Sequence, residues 1–157
     1  MIDLYVEFRK LVSRLHQDNI DFALCGGLEM AVYGRPRATI DIDLFIPSDL
    51  LERALSAAAD LGYTIRGRDL SLAAGAVEIR RVSKIDPESG DLLSLDLLLV
   101  TPNILPVWQS RTSANWEAGD LPVVSRQGLI SLKRLRGSGR DLDDIKELEE
   151  DITNADT

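Results

Sequence analysis

The sequence predicts an α+β fold of the α/β type: one domain over 1–157 in which helices and strands are interspersed. Three observations carry this. In Ile40 to Ile46, apolar Ile40, Ile42, Leu44 and Ile46 alternate with Asp41, Asp43 and Phe45, the period of two of a strand with one face in a core. Leu92 to Val100 is an apolar run interrupted only by Ser94 and Asp96, as expected of a buried strand. Leu4, Phe8, Leu11, Val12 and Leu15 fall at helical spacing, so helices and strands share one chain. At 157 residues the chain is long enough to bury a full core, and 45% hydrophobic with 28% charged residues is an ordinary globular balance.

The elements follow in order. The first helix ends near Asp18-Asn19, and Phe22 to Cys25 reads as a short buried strand. Gly26-Gly27 turns the chain into a helix over Leu28 to Tyr33, and a diglycine at a strand-to-helix turn lets backbone N–H groups approach a phosphate. Gly34 to Thr39 is a loop kept extended by Pro36, with Arg37 and Thr39 placed either to meet phosphate oxygens or to balance the aspartates that follow. Ser48 is expected to cap a helix through Leu50, Leu51, Leu55 and Ala58 that stops at Gly62. A strand begins at Tyr63, Gly67 to Gly75 turns, Val77 to Val82 is a strand, and Asp86 to Asp91 is a hairpin loop leading into Leu92. Residues 102–120, with Pro102, Pro106, Trp108 and Trp116, read as irregular, and both tryptophans as packing residues. Pro122 to Val124 is a short strand and Ser125 an N-cap. Leu129, Ile130, Leu132 and Leu135 then form the inner stripe of a helix with Lys133 off it, and Leu142, Ile145, Leu148 and Ile152 that of the last helix. The site core is thus expected over about 20–100 and the C-terminal helices over about 125–153.

Asp41 and Asp43 are the residues whose chemistry asks for a reason. Two residues apart on a strand, their Cα atoms are roughly 6.6 Å apart on one face. Aspartate is disfavoured in strands, and no Lys or Arg is interleaved, so a purely structural wet face is a poor use of these positions. Hard oxygen donors so placed suit Mg²⁺, or two metals about 3.5–4 Å apart. Asp96 either joins them as a third carboxylate from the neighbouring strand or is buried as an ion pair with Arg80 or Arg81.

Charge and composition bound the rest. The net charge of −8 argues against wholesale coating of nucleic acid. Its distribution is uneven: 121–140 carries Arg126, Lys133, Arg134, Arg136 and Arg140 and no acid, whereas 141–157 carries eight acids and Lys146. That is either a basic surface for a polyanion or a helix whose cations complement its own dipole. No apolar run reaches the ~20 residues of a membrane span, and the segment Met1 to Leu4 is unlike a leader peptide, so a cytoplasmic protein without membrane partners is expected. Cys25 reads as a small core residue and His16 as solvated; one of each makes no zinc site.

Together, the Gly26-Gly27 turn and short helix, Gly34-x-x-Arg37-x-Thr39-x-Asp41-Ile42-Asp43-Leu44, the later strand Asp96, Leu132-Lys133 and Arg140-Asp141-Leu142-Asp143-Asp144-Ile145 resemble the nucleotidyltransferase superfamily over about 20–150. Within it the chain is most similar to the small AbiEii-type proteins, the toxin side of bacterial toxin–antitoxin systems. Gly26-Gly27 stands where many members have Gly-Ser, leaving backbone donors alone. The resemblance implies a mixed sheet flanked by helices and metal-dependent transfer of a nucleoside monophosphate from an NTP to a hydroxyl. It makes Asp41, Asp43 and Asp96 the catalytic metal ligands, for two Mg²⁺ or for Mn²⁺. Gly26, Gly27, Arg37, Thr39 and Lys133 would bind the NTP, and Asp141 and Asp144 either take part or serve as helix-dipole partners. The acceptor implied is the 3′ end of an RNA such as tRNA, or a protein, with a cognate antitoxin as partner. An aminoglycoside-type small-molecule nucleotidyltransferase, or a member that binds nucleotide or a partner without turnover, is the alternative.

Overall fold

In the computed structural model, residues 3–32, 41–116, 119–137 and 139–155 are described, with 31, 32, 139, 140 and 151–155 described by backbone alone. Helix α1 spans Leu4–Gln17 because Asp3 caps it, its carboxylate accepting from Tyr5 N–H at 3.0 Å and Val6 N–H at 3.2 Å. It buries Phe8, Leu11, Val12 and Leu15, the stripe expected from their spacing. Strand β1 (Ala23–Cys25) leads directly into α2 (Gly26–Val32), then come β2 (Asp41–Pro47) and α3 (Leu51–Asp60). Strands β3 (Ile65–Arg66), β4 (Leu70–Leu72), β5 (Val77–Ile85) and β6 (Leu92–Val100) follow. The chain closes with α4 (Leu105–Gln109), β7 (Thr112–Trp116), β8 (Gly119–Val123), α5 (Arg126–Arg136) and α6 (Gly139–Ala155).

The strands make one mixed sheet in the order β3-β5-β6-β2-β1-β8-β7, with β4 pairing β5 beside β3. β2 runs parallel to β6 and β1 parallel to β8; the other pairs are antiparallel. Strand alternation divides the core in two. Ile42, Leu44, Ile46, Val82, Leu93, Leu95, Leu97 and Leu99 point to one face and pack with α1 and with Ala54, Ala57 and Ala58 of α3. Phe45, Val77, Ile79 and Leu98 point to the other, under Val107 of α4, Leu129, Ile130 and Leu132 of α5, and Ile145 and Leu148 of α6. Each fully buried Leu or Ile contributes about 1.5–3 kcal/mol, so the register of β2 and β6 is firmly set.

Five expectations need correction. Residues 102–120 are not irregular: Pro102 and Pro106 open two short helical turns, and β7 and β8 form a hairpin at the sheet edge. Its first strand is mostly exposed, so it carries no alternation to read. Within the expected turn Gly67 to Gly75, Leu70–Leu72 is a strand on β5. Ser48 does not cap; its hydroxyl donates to the Val100 carbonyl at 3.0 Å. Leu135 and Leu142 are 38% and 59% exposed, because the faces of α5 and α6 that meet the sheet and each other are turned away from them. Lys133, expected off the buried stripe of α5, is only 4% exposed and lies inside it.

Ser125 caps α5 as expected, accepting from Gly128 N–H at 3.0 Å. The helix stops at Gly137, whose φ of +69° is the left-handed conformation that glycine adopts without a Cβ penalty. The hairpin loop at 86–91 also stands, closed by Asp86 N–H on the Asp91 carbonyl at 2.8 Å. Trp116 packs edge-on to Phe8 and Trp108 to Phe45, at 5.1 and 5.4 Å between ring centres, so both tryptophans are packing residues. No helix among the described residues is long and apolar enough to cross a membrane.

Candidate functional site

Sheet register builds the site. On the face under α5, one row across four strands reads Arg81 on β5, Asp96 on β6, Asp43 on β2 and Cys25 on β1. The next row reads Ser83, Ser94 and Asp41. Asp41, Asp43 and Asp96 therefore share one face on adjacent strands, as the sequence reading required. Like charges side by side in a sheet cost energy, so only a further positive group makes this arrangement favourable.

The glycine turn is pressed against these acids. Gly26 has φ +75°, and a Cβ there would lie 2.2 Å from Asp43 Oδ2, so a side chain at this position would collide with the carboxylate. A small cavity of about 30 Å³ continues inward between the sheet and α5. Cys25, Gly26, Asp43 and Asp96 line it on the sheet side, Lys133 and Arg136 on the helix side, and Val77, Ile79, Leu98, Leu129 and Leu132 around its apolar floor.

Electrostatics single out Asp43. Burial, and then the neighbouring Asp96, push its carboxyl up to about 7, with Asp41 adding and Arg136 and Lys133 opposing. Burial and Asp96 raise Asp41 as well. The thiol of buried Cys25 is pushed well up by burial and then by Asp43, which keeps it protonated.

Two pairings decide what the cations do. Arg81 donates from Nε to Asp96 Oδ1 at 2.7 Å and from Nη2 to Asp96 Oδ2 at 2.9 Å, and Nη2 lies 3.9 Å from Asp41 Oδ2. The ion-pair alternative for Asp96 is thus realised together with its place beside Asp43. Arg80 is elsewhere, paired with Glu78 and Asp69. Lys133 Nζ donates to Asp144 Oδ2 at 3.0 Å and lies 3.8 Å from Asp141 Oδ1, while Arg136 Nε is 3.8 Å from Asp141 Oδ2. Asp141 and Asp144, 3% and 2% exposed, are buried partners of Lys133 rather than solvated dipole residues. Arg37 and Thr39 lie outside the described residues, as does the side chain of Arg140.

Sequence reasoning did not assign Arg136 to the cavity, nor Arg81 to Asp41. Arg81 carried a faint signal, since it shares strand parity with the inward Val77 and Ile79. Only the antiparallel register of β5 and β6 sets it opposite Asp96.

As a donor set, three aspartate carboxylates on one sheet face fit a hard divalent cation. Among the described residues, however, no three acidic, His or Cys side chains are drawn together into a ready-made cluster. Asp96 is turned to Arg81, whose guanidinium also approaches Asp41.

The backbone superposes on several known structures. ANT(2″)-Ia, an antibiotic-resistance factor, superposes with a TM-score of 0.62 at 16% identity, over 94% of this chain and 83% of that one. This chain has the nucleotidyltransferase fold. TM1012 from Thermotoga maritima, assigned as a nucleotidyltransferase, superposes with a TM-score of 0.58 at 13% identity, over 94% and 91%. JHP933 from Helicobacter pylori gives 0.56 at 19% identity, over 93% of this chain and 64% of that one. A further structure of ANT(2″)-Ia holds adenylyl-2″-tobramycin and superposes with a TM-score of 0.62 at 14% identity, over 92% and 87%. No family model matches the sequence, and no curated protein matches it either. The mixed sheet with flanking helices is therefore as expected, and the nucleotidyltransferase fold is shared at 13% to 19% identity.

Proposed function

We propose that this chain is a metal-dependent nucleotidyltransferase that moves a nucleoside monophosphate from an NTP to a hydroxyl. The observation that carries the reading is the row Asp96–Asp43 with Asp41 beside it, opening at the Gly26 turn and facing Lys133 and Arg136. In the transfer the acceptor oxygen bonds to the α-phosphorus, the bond from that phosphorus to the bridging oxygen breaks, and pyrophosphate leaves with the electron pair. Asp41 and Asp43 would hold Mg²⁺ or Mn²⁺, with Asp96 the third carboxylate. A bound cation supplies charge neutralisation on the triphosphate and lowers the pKa of the attacking hydroxyl.

The protein's own groups do the rest. Gly26 and Gly27 let the chain pass close to the phosphates, and Arg37 and Thr39 are assigned to the same oxygens. Lys133, held across the cavity by Asp144 and Asp141, is assigned to the departing pyrophosphate, whose growing charge would draw its ammonium from those partners. Asp96 would share the metal and help take the acceptor proton once Arg81 no longer covers it.

The acceptor is read two ways. The AbiEii-like motifs favour an RNA 3′ end, such as that of a tRNA, or a protein, in a cytoplasmic toxin–antitoxin setting. The ANT(2″)-Ia likeness, extending over most of that chain, and the net charge of −8 favour a cationic aminoglycoside-like small molecule. Incubation with each α-labelled NTP, Mg²⁺ and a cell extract separates them, because label enters RNA, protein or a small molecule. Label that does not exceed that of Asp43→Asn with any of the NTPs would reject catalysis and leave a nucleotide- or partner-binding role.

A further inference from the structure

Arg81 stands where a cation would stand. Its guanidinium satisfies both oxygens of Asp96 at 2.7 and 2.9 Å and leans toward Asp41, 3.9 Å away, so it spans two of the three carboxylates of the site. Among the described residues, the Gly67 backbone is what backs the pairing. Gly67 N–H donates to the Arg81 carbonyl at 2.9 Å, and the Gly67 backbone lies close along the arginine stem. The neighbouring hydroxyls of Ser83 and Ser94 bond each other at 2.9 Å. Its side chain is 40% exposed, with solvent to swing into. Lys133 differs, being 5% exposed and fixed between two aspartates.

Taking the site as that of a metal-dependent nucleotidyltransferase, we propose that Arg81 is an exchangeable internal counter-ion, competing with a divalent cation for Asp96 and Asp41. A fork-shaped guanidinium bonded to both carboxylate oxygens leaves Asp96 few lone pairs for a metal. A divalent cation can recruit Asp96 only as the guanidinium leaves. The freed Arg81 then faces the mouth of the site as a positive group, suited to the phosphates of an incoming nucleotide. Cation and nucleotide thus favour each other's binding, because each removes a cost the other would otherwise meet.

The test is Mn²⁺ binding by calorimetry in the absence of nucleotide, on the wild type, Arg81→Gln and Arg81→Lys, with the Arg81 Nε–H resonance of the wild type followed during Mg²⁺ titration. Removing a bidentate charge-assisted pair should tighten Mn²⁺ binding by about ten-fold or more in Arg81→Gln. Arg81→Lys should fall between, since it keeps the charge but not the fork. The Nε–H signal, protected in the metal-free protein, should go over to free exchange with water as the site fills. If Arg81→Gln binds Mn²⁺ no more tightly than the wild type, or the protected signal persists at saturating Mg²⁺, the competition is wrong and the nucleotidyltransferase reading stands. If neither protein binds a divalent cation, both fall. Should Arg81→Gln fail to fold, the wild-type resonance decides alone.

Discussion

Two acids, Glu7 buried on one side of the sheet and Asp43 half-buried on the other, are treated in opposite ways. Glu7 of α1 is met by Lys84, whose Nζ donates to both carboxylate oxygens at 2.8 Å, and by the Tyr63 hydroxyl at 3.2 Å. Lys84 also donates to the Leu61 carbonyl at 3.2 Å and lies over the Tyr63 ring, 5.2 Å from its centre. The Tyr63 hydroxyl is pushed up by burial and then by Glu7, and stays a donor. This is a closed account of one charge, its counter-charge and their hydrogen bonds, and it pins α1 to β5. Asp43 instead faces another carboxylate, and the ammonium nearest its cavity is taken by Asp144 and Asp141. Its carboxyl is held up to about 7. Stability alone would not select that; a site that gains its missing positive charge from a ligand would.

The largest effect expected is on transfer, not on folding. Asp43→Asn should lower nucleotidyl transfer on the order of 10³-fold, the scale of losing one charge-stabilising group, while the urea midpoint stays level or rises as a repelling charge is removed. A fall in stability above about 1 kcal/mol would make Asp43 a structural acid like Glu7. Lys84→Met should do the reverse. It strands Glu7 beside an apolar side chain and should cost about 3 kcal/mol in urea denaturation, with activity per folded molecule unchanged. The double variant Glu7→Gln/Lys84→Met should recover much of that loss, and simple additivity of the two single variants would break the comparison.

A subtler effect lies in pH. Asp43 titrates near 7 in the folded protein against 3.8 for an ordinary aspartate, so between those values the native state holds a proton that the unfolded state has released. Its contribution to stability therefore falls as pH rises through that window. Urea midpoints from about pH 4 to pH 8 should show this decline in the wild type and less of it in Asp43→Asn, whose amide does not titrate. An identical slope in both would remove Asp43 as its source. The smallest effect belongs to Arg134→Ala. Arg134 pairs with Glu149 on the outside of α5 and α6 with 61% of its side chain exposed, and its loss should change stability by less than about 0.5 kcal/mol.

What the sequence by itself determined lies in short-range pattern. The alternation from Ile40 to Ile46 placed Asp41 and Asp43 on one face before any coordinates, because a strand's side chains can point only two ways. The same holds for the stripe of α1, the Ser125 cap and the 92–100 strand, each decided by neighbours a few residues away. What only tertiary structure decided depends on partners far apart in the chain. Parallel pairing of β2 with β6 set Asp96 beside Asp43, antiparallel pairing of β5 with β6 set Arg81 on Asp96, and packing of α6 against α5 turned Lys133 inward onto Asp144. Leu135 and Leu142 show the same limit from the apolar side, since helical spacing defines a stripe but not which part of it another element will cover. Register and helix docking are fixed by the sum of many contacts over the whole core, and no local window of sequence contains that sum.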